Sequence, residues 1–354
     1  MKKLLLSKEK GNFYKANLHC HTVYSDGLLT PQEIKELYKS MGYSVVAFTD
    51  HNIMIPHLEL CDETFLALNG YELNISETKK DFSQAKSCHI NLVALEESNL
   101  MQICWHREKY LLKNAVLHRD KVQFDENEPD FERVYSPECI SYVMEEGRRK
   151  GFFVTYNHPT WGMEDYNDYT NYHGMHAMEI CNSGSMGAGY AEYNPRVYDD
   201  MLRAGKRIYC IAADDNHKGA VEAGGGFTVI NATELKYRTI TKALEDGNFY
   251  ASQGPEIYEL WYEDGKIGIK CSPAEQIIFN FGNRAAKRFC SENDGTIECA
   301  EAEVKDNNIY VRVTVIDHKG KPANTNAYFV DESKGSGNGQ DESMYYSAGI
   351  FNRF

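Results

Sequence analysis

His19 and His21 lie two residues apart in NLHCHTVYSDGLLTP (17–31), the spacing that puts side chains on one face of a strand. Asp26 follows in an SDG turn. Imidazoles and a carboxylate so close together are donors for a divalent cation of the Zn, Mn or Fe kind. Donors of the same type recur downstream: His51 in FTDHN, Glu72 in GYEL, His89 in HINLVAL, His158 in YNHP, and Asp215 with His217 in AADDNH. Nine such donors exceed the needs of one ion, so two or three divalent ions sharing a bridging carboxylate are expected. The ten cysteines form no CxxC pair, which argues against a Cys-based structural zinc and fits small buried hydrophobes kept reduced.

These donors need a frame. Seven apolar stretches recur at 15–22, 44–52, 64–73, 89–95, 151–159, 176–182 and 207–217. Most are continuous rather than alternating, as in strands buried on both faces. Helices with clear signals lie between them. Thr30, Pro31 and Glu33 open one that stops at Gly42; Ser136 and Pro137 open another that runs out near Gly151; Asn194 and Pro195 open a third that ends at Gly205. TITKALEDG gives one more. Strand and helix alternating over seven strands predict an α/β fold built as a (β/α) barrel. All the donors except His89 then close their strands, at the rim where barrel active sites lie. His89 opens its strand instead.

Past residue 255 the pattern becomes alternating, with turn signals at Asp264-Gly265 and near Asn307-Asn308. The expected organisation is a barrel over 1–255 and a small antiparallel β domain over 256–354, with a flexible loop at 331–343. Segment 97–135 reads as an insertion, a candidate lid over the pocket. The formal charge of −14 argues against stable nucleic-acid binding or attachment to an anionic membrane. No run reaches the ~20 apolar residues of a membrane span. The apolar run Leu4–Leu6 falls short of the roughly 7–15 residues of a signal peptide, so a cytoplasmic protein is expected.

In order, NLHCHTVYSDG, FTDHN, GYEL, NHP and AADDNH resemble the metal motifs of the polymerase-and-histidinol-phosphatase (PHP) family over roughly residues 13–255. The resemblance implies a distorted seven-stranded (β/α) barrel with a trinuclear metal centre at its mouth. By motif, His19, His21, Glu72 and Asp215 would hold one ion, Glu72, His89 and His158 a second, and Asp26, His51 and His217 a third. The family more often has serine where Asp214 stands; Asp215 keeps the D-x-H spacing to His217. The implied chemistry is hydrolysis of a phosphate ester of a small molecule, a nucleotide or sugar phosphate, by a hydroxide bridging two cations. His217 or His158 would handle the leaving-group proton. Candidate substrate contacts are Trp161, Asn182 and Arg196, with Glu179 and Asp50 in support and Arg119 on the surface. The rivals are a carboxylic or carbamate ester hydrolase on the same ions and a non-catalytic metal-stabilised binding protein. A proofreading exonuclease is disfavoured by the acidic charge and the lack of a polymerase domain.

Overall fold

The structure is a computed structural model that describes residues 2–292 and 295–330; the segment 331–343 lies outside the described residues. Strands β1 (Lys3–Ser7) and β2 (Asn12–Asn17) precede α1 (Pro31–Ser40), β3 (Val45–Phe48), β4 (Leu66–Ser76) and β5 (Ser87–Ala94). Helix α2 (Pro137–Arg149) leads to β6 (Phe152–Asn157), α3 (Tyr166–Tyr169) and β7 (Ala177–Asn182). Next come α4 (Ser183–Gly187), α5 (Pro195–Arg203), β8 (Tyr209–Ala213), β9 (Phe227–Ala232), α6 (Tyr237–Glu245) and β10 (Phe249–Ser252). The remaining strands are β11 (Ile257–Glu263), β12 (Lys266–Ala274), β13 (Gln276–Asn280) and β14 (Ala286–Cys290). They continue as β15 (Ile297–Glu303), β16 (Tyr310–Ile316), β17 (Pro322–Thr325) and β18 (Tyr328–Phe329).

The seven apolar stretches form β2 to β8, and the helix signals act as read. The Thr30 hydroxyl accepts from the Glu33 N–H while the Glu33 carboxylate accepts from the Thr30 N–H, a reciprocal cap. Ser136 caps α2 through the Cys139 N–H. The large sheet runs β14-β13-β16-β17-β10-β9-β2-β3-β4-β5-β6-β7-β8, with β18 on β16; the second runs β1-β11-β12-β15.

Two features depart from a regular seven-stranded barrel. First, β5 runs antiparallel to both β4 and β6, with His89 opposite Asn74 and Asn157. A strand laid in reverse brings its first residues to the rim where its neighbours end, which explains why His89 opens its strand. Second, no backbone ladder closes the sheet among the described residues. An eighth strand, β9, lies antiparallel on β2, and Thr228 on β9 meets β8 through its side chain. Its hydroxyl donates to the Ala212 carbonyl at 3.0 Å and accepts from the Ala212 N–H at 3.3 Å, standing in for ladder bonds. At the rim a single parallel bridge, Cys20 to Asn216, ties the chain after β2 to the chain after β8.

Both sheets cross residue 255: β1 pairs with β11 and β17 pairs with β10. Leu6, Phe48, Leu260, Ile269 and Val313 share one buried cluster, so residues from both ends of the chain fill a common core. The β11–β12 hairpin turns at Asp264 (φ +49°) and Gly265 (φ +76°), as the Asp-Gly signal predicts. The Asn307-Asn308 turn does not make a hairpin, because β15 pairs with β12 and β16 with β13 in different sheets.

One ion pair fastens α5 to this β region. Arg312 Nε and Nη2 each lie 2.7 Å from the Asp199 carboxylate, and the Tyr310 hydroxyl donates to it at 2.7 Å. Arg312 is 4 % exposed, so removing its partner strands a buried charge. Asp199→Ala is expected to lower stability by about 3 kcal/mol or more. Urea unfolding checks this, and the double variant Asp199→Ala/Arg312→Met should recover part of the loss.

Candidate metal centre

The SDG turn shapes the first part of the site. A Cβ at Gly27 would sit 2.5 Å from the His21 carbonyl oxygen, so only glycine allows the turn to fold back so tightly. Asp50 braces the same turn from below: it accepts from the Thr22 N–H (2.8 Å), the Thr22 hydroxyl (2.8 Å) and the Ser25 hydroxyl (2.6 Å). It therefore supports the loop and does not enter the cluster.

All nine donors converge. Glu72, fully buried on β4, is the hub. His19 Nε2 (3.2 Å), His89 Nδ1 (3.1 Å) and His158 Nε2 (3.1 Å) surround its Oε1; His21 Nε2 (3.6 Å) and His51 Nδ1 (2.9 Å) face its Oε2. Asp215 Oδ1 lies 3.1 Å from His19 Nε2 and 2.9 Å from His21 Nε2. Asp26 lies 3.4 Å from His217 Nε2 and 3.7 Å from His51 Nε2. The donor atoms fall into four overlapping groups: His21-Asp26-His51-His217, His19-His21-Glu72, His19-His158-Asp215 and His51-Glu72-His89. The motif-based division differs from this: His51 also joins Glu72 and His89. His158 groups with His19 and Asp215, and His21 also joins the Asp26 set.

Do these residues fit cations? Buried His51 Nδ1, His89 Nδ1 and Glu72 Oε2 lie close together yet make no hydrogen bond of acceptable geometry. Oxygen and imidazole nitrogen converging without hydrogen bonding is the arrangement that a divalent ion satisfies. The ring tautomers agree. Glu179 Oε1 lies 2.7 Å from His19 Nδ1, and the Asp215 carbonyl lies 3.0 Å from His217 Nδ1. Each acceptor holds the proton on Nδ1 and leaves Nε2 as the coordinating atom. Glu179 also accepts the His158 N–H at 3.1 Å and the Asn182 amide at 2.9 Å. Asp215 (φ +53°) and His158 (φ +24°) take left-handed backbone conformations that aim both side chains inward. Asp214 is committed elsewhere, to the hydroxyls of Tyr38 and Ser183 and the N–H groups of Gly224, Gly225 and Gly226.

The cluster floors a cavity of about 460 Å³. Trp161 forms one wall, edge-on to His89 (4.8 Å) and His158 (5.0 Å), and its backbone N–H donates to the Glu192 carboxylate at 2.7 Å. Two expected substrate contacts are not there. Asn182 is buried, and its amide donates to Glu179 and Asp215 while its oxygen caps α4 through the Ser185 N–H, so no polar atom is left for a ligand. Arg196 lies outside the cavity on the exposed face of α5, paired with Asp200 one helical turn on. The cations that do reach the mouth are Lys113 and Lys218. Lys218 directly follows His217 in the motif, a usable signal; Lys113 sits in the insertion with no motif around it.

A PHP domain family model matches residues 17–223. The chain belongs to the PHP domain family. No curated protein matches this PHP chain. Among solved structures it resembles a two-domain protein of Bacteroides vulgatus described as containing a predicted PHP-like metal-dependent phosphoesterase. Identity is 14 %, covering 86 % of this chain and 91 % of that one, with TM-score 0.42. It also resembles a protein of Bifidobacterium adolescentis described as a candidate metal-dependent phosphoesterase, at 15 % identity over 58 % of this chain and 88 % of that one, TM-score 0.33. A third likeness is to an amidohydrolase of Chromobacterium violaceum with bound sulfate, at 14 % identity over 58 % and 89 %, TM-score 0.33. No helix among the described residues is long and apolar enough to cross a membrane.

The PHP cluster has a defined protonation pattern. Burial opposes charge on His158, but Glu72 and Asp215 outweigh it and raise its pKa to about 9. Asp26 and Asp215 likewise outweigh burial at His217, raising it to about 9. Burial, with His217 and His51 beside it, lowers His21 to about 3. Coordination requires neutral rings, so loading metal-free protein near pH 7 must release protons from His158 and His217. Affinity for Zn or Mn is expected to rise as pH increases toward 9. Calorimetric titration in buffers of different ionisation enthalpy measures the release; zero release would contradict the assignment. Glu179→Gln, which weakens the hold on His19, is expected to cost about 10–100-fold in metal affinity.

Proposed function

We propose that the protein is a metal-dependent hydrolase that cleaves a phosphate ester of a small molecule, a nucleotide or sugar phosphate. Two to three divalent ions (Zn, Mn or Fe) would be held by His19, His21, Asp26, His51, Glu72, His89, His158, Asp215 and His217, with Glu72 shared. The observation that carries this reading is the convergence of six imidazoles and three carboxylates on one open cavity. A purely structural site would be closed and would not need shared ligands. When bound, such ions supply Lewis-acid stabilisation of the phosphoryl oxygens and a nucleophilic water at neutral pH.

The chain's own groups supply the rest. Lys113 and Lys218 stand at the mouth, and an ammonium there would meet an anionic phosphate ester better than a neutral carboxylic one. Trp161 offers an aromatic wall for the organic part of the substrate. Holding an ion through Nε2 leaves His217 no proton at that atom, and the His158 side chain is only 3 % exposed, so the leaving-group proton is assigned to neither histidine.

Elemental analysis of the purified protein, with p-nitrophenyl phosphate and bis-p-nitrophenyl phosphate assays under Mn, Zn or Fe supplementation, tests this. Two to three ions per chain are expected, with phosphoesterase activity that falls to background in His19→Ala. Full loading with turnover of carboxylic esters alone would move the reading to an esterase. A folded protein that binds no metal would overturn it.

A further inference from the structure

Segment 97–135 is fastened at three places to the loops that carry candidate ligands. Gln102 donates to the Asn52 carbonyl (2.8 Å) and accepts the Met54 N–H (3.0 Å), just past His51. Arg133 Nη1 donates to Asn52 Oδ1 (2.5 Å) and to the Asn74 carbonyl (2.8 Å), past His51 and Glu72 respectively. The Asn114 N–H donates to the Ser25 carbonyl and its amide to the Val23 carbonyl, both at 3.1 Å, just before Asp26. Beneath these bonds Trp105, Leu111, Ala115 and Val122 share a buried apolar cluster with Ile53 and Ile55. A segment bonded in this way is a wall, not a lid.

The wall delivers one side chain to the mouth. Lys113 directly precedes the anchored Asn114 and takes a left-handed conformation (φ +48°). Its side chain is 70 % exposed, and its amine lies 3.8 Å from Asp26 Oδ2. The other basic side chains near it are engaged. Lys109 pairs with Glu132, Arg107 with Asp130, and the Arg119 guanidinium donates to the carbonyls of Arg107 and Glu108. Lys218, across the mouth, is held by Glu222 at 2.9 Å. Asp26 itself faces His51 and His217 and is claimed by the candidate centre.

We propose that segment 97–135 is a fixed wall of the active site and that Lys113 is its substrate-binding residue, contacting the phosphate of the substrate. This rests on the phosphoesterase reading above. The test uses the full-length, metal-loaded protein with Lys113→Ala and Lys113→Arg. It measures the affinity for inorganic phosphate, the KM and kcat for p-nitrophenyl phosphate, and the metal content. Loss of one charge-assisted hydrogen bond predicts that Lys113→Ala weakens phosphate binding and raises KM by about tenfold. Metal content and kcat should stay close to wild type, and Lys113→Arg should restore most of the affinity. Wild-type phosphate affinity and KM in Lys113→Ala would overturn this inference and leave the phosphoesterase reading standing. Loss of metal from Lys113→Ala would also overturn it, by assigning the lysine to the Asp26 loop. A wild-type protein that neither binds phosphate nor hydrolyses its esters would overturn both.

Discussion

A carboxylate with no access to water sits among five imidazoles, and the rest of the structure answers to it. Burying an ionised Glu72 alone would be prohibitive. The ring of His19, His21, His51, His89 and His158 makes it tolerable, holding its carboxyl well below the usual range against the opposing effect of burial. The imidazoles arrive from four places: His19 and His21 from the segment after β2, His51 from the chain after β3, His89 from the start of β5 and His158 from the end of β6. The β4 register, the reversed β5 and the left-handed turn at His158 are therefore parts of one geometric solution. Asn157 adds an amide to Glu72 at 2.9 Å, and Glu179 holds His19 from behind.

Much of this was legible in the sequence because the donors are local in motif and strands alternate their faces. HCH, TDHN, NHP and DDNH each place donors at the end of an apolar run, and a buried run needs only its composition to be seen. Direction is different. Nothing in HINLVAL says which way the strand is laid, so the position of His89 made sense only once β5 was seen to run backwards. The seam at Thr228 was hidden for a related reason, since a hydroxyl replacing two ladder bonds leaves no periodicity to read.

Substrate contacts were the least legible part. Arg196 was close in sequence to the strand-seven loop but belongs to a helix face that turns it toward Asp200. Asn182 stands beside the ligands, yet every polar atom it has is spent on positioning them. Lys113 reaches the mouth only because a wall built from residues far along the chain folds back over the Asp26 turn. Motifs encode groups that one short segment can place, and these contacts depend on the path between segments.

The N-terminal MKKLLLSKEK acquires a meaning from its place in the second sheet. Its Leu4–Leu6 core belongs to β1, whose partner β11 begins only at Ile257. During synthesis this apolar strand must therefore wait through most of the chain with its backbone unpaired, the condition under which strands seek one another in the wrong molecule. Lys2, Lys3, Lys8 and Lys10 flank it closely. Their like charges repel a second copy of the same strand and so serve as gatekeepers against aggregation. Once β11 arrives, Lys2 meets Glu259 on that strand, and one of the charges that kept strangers away becomes part of the native pairing.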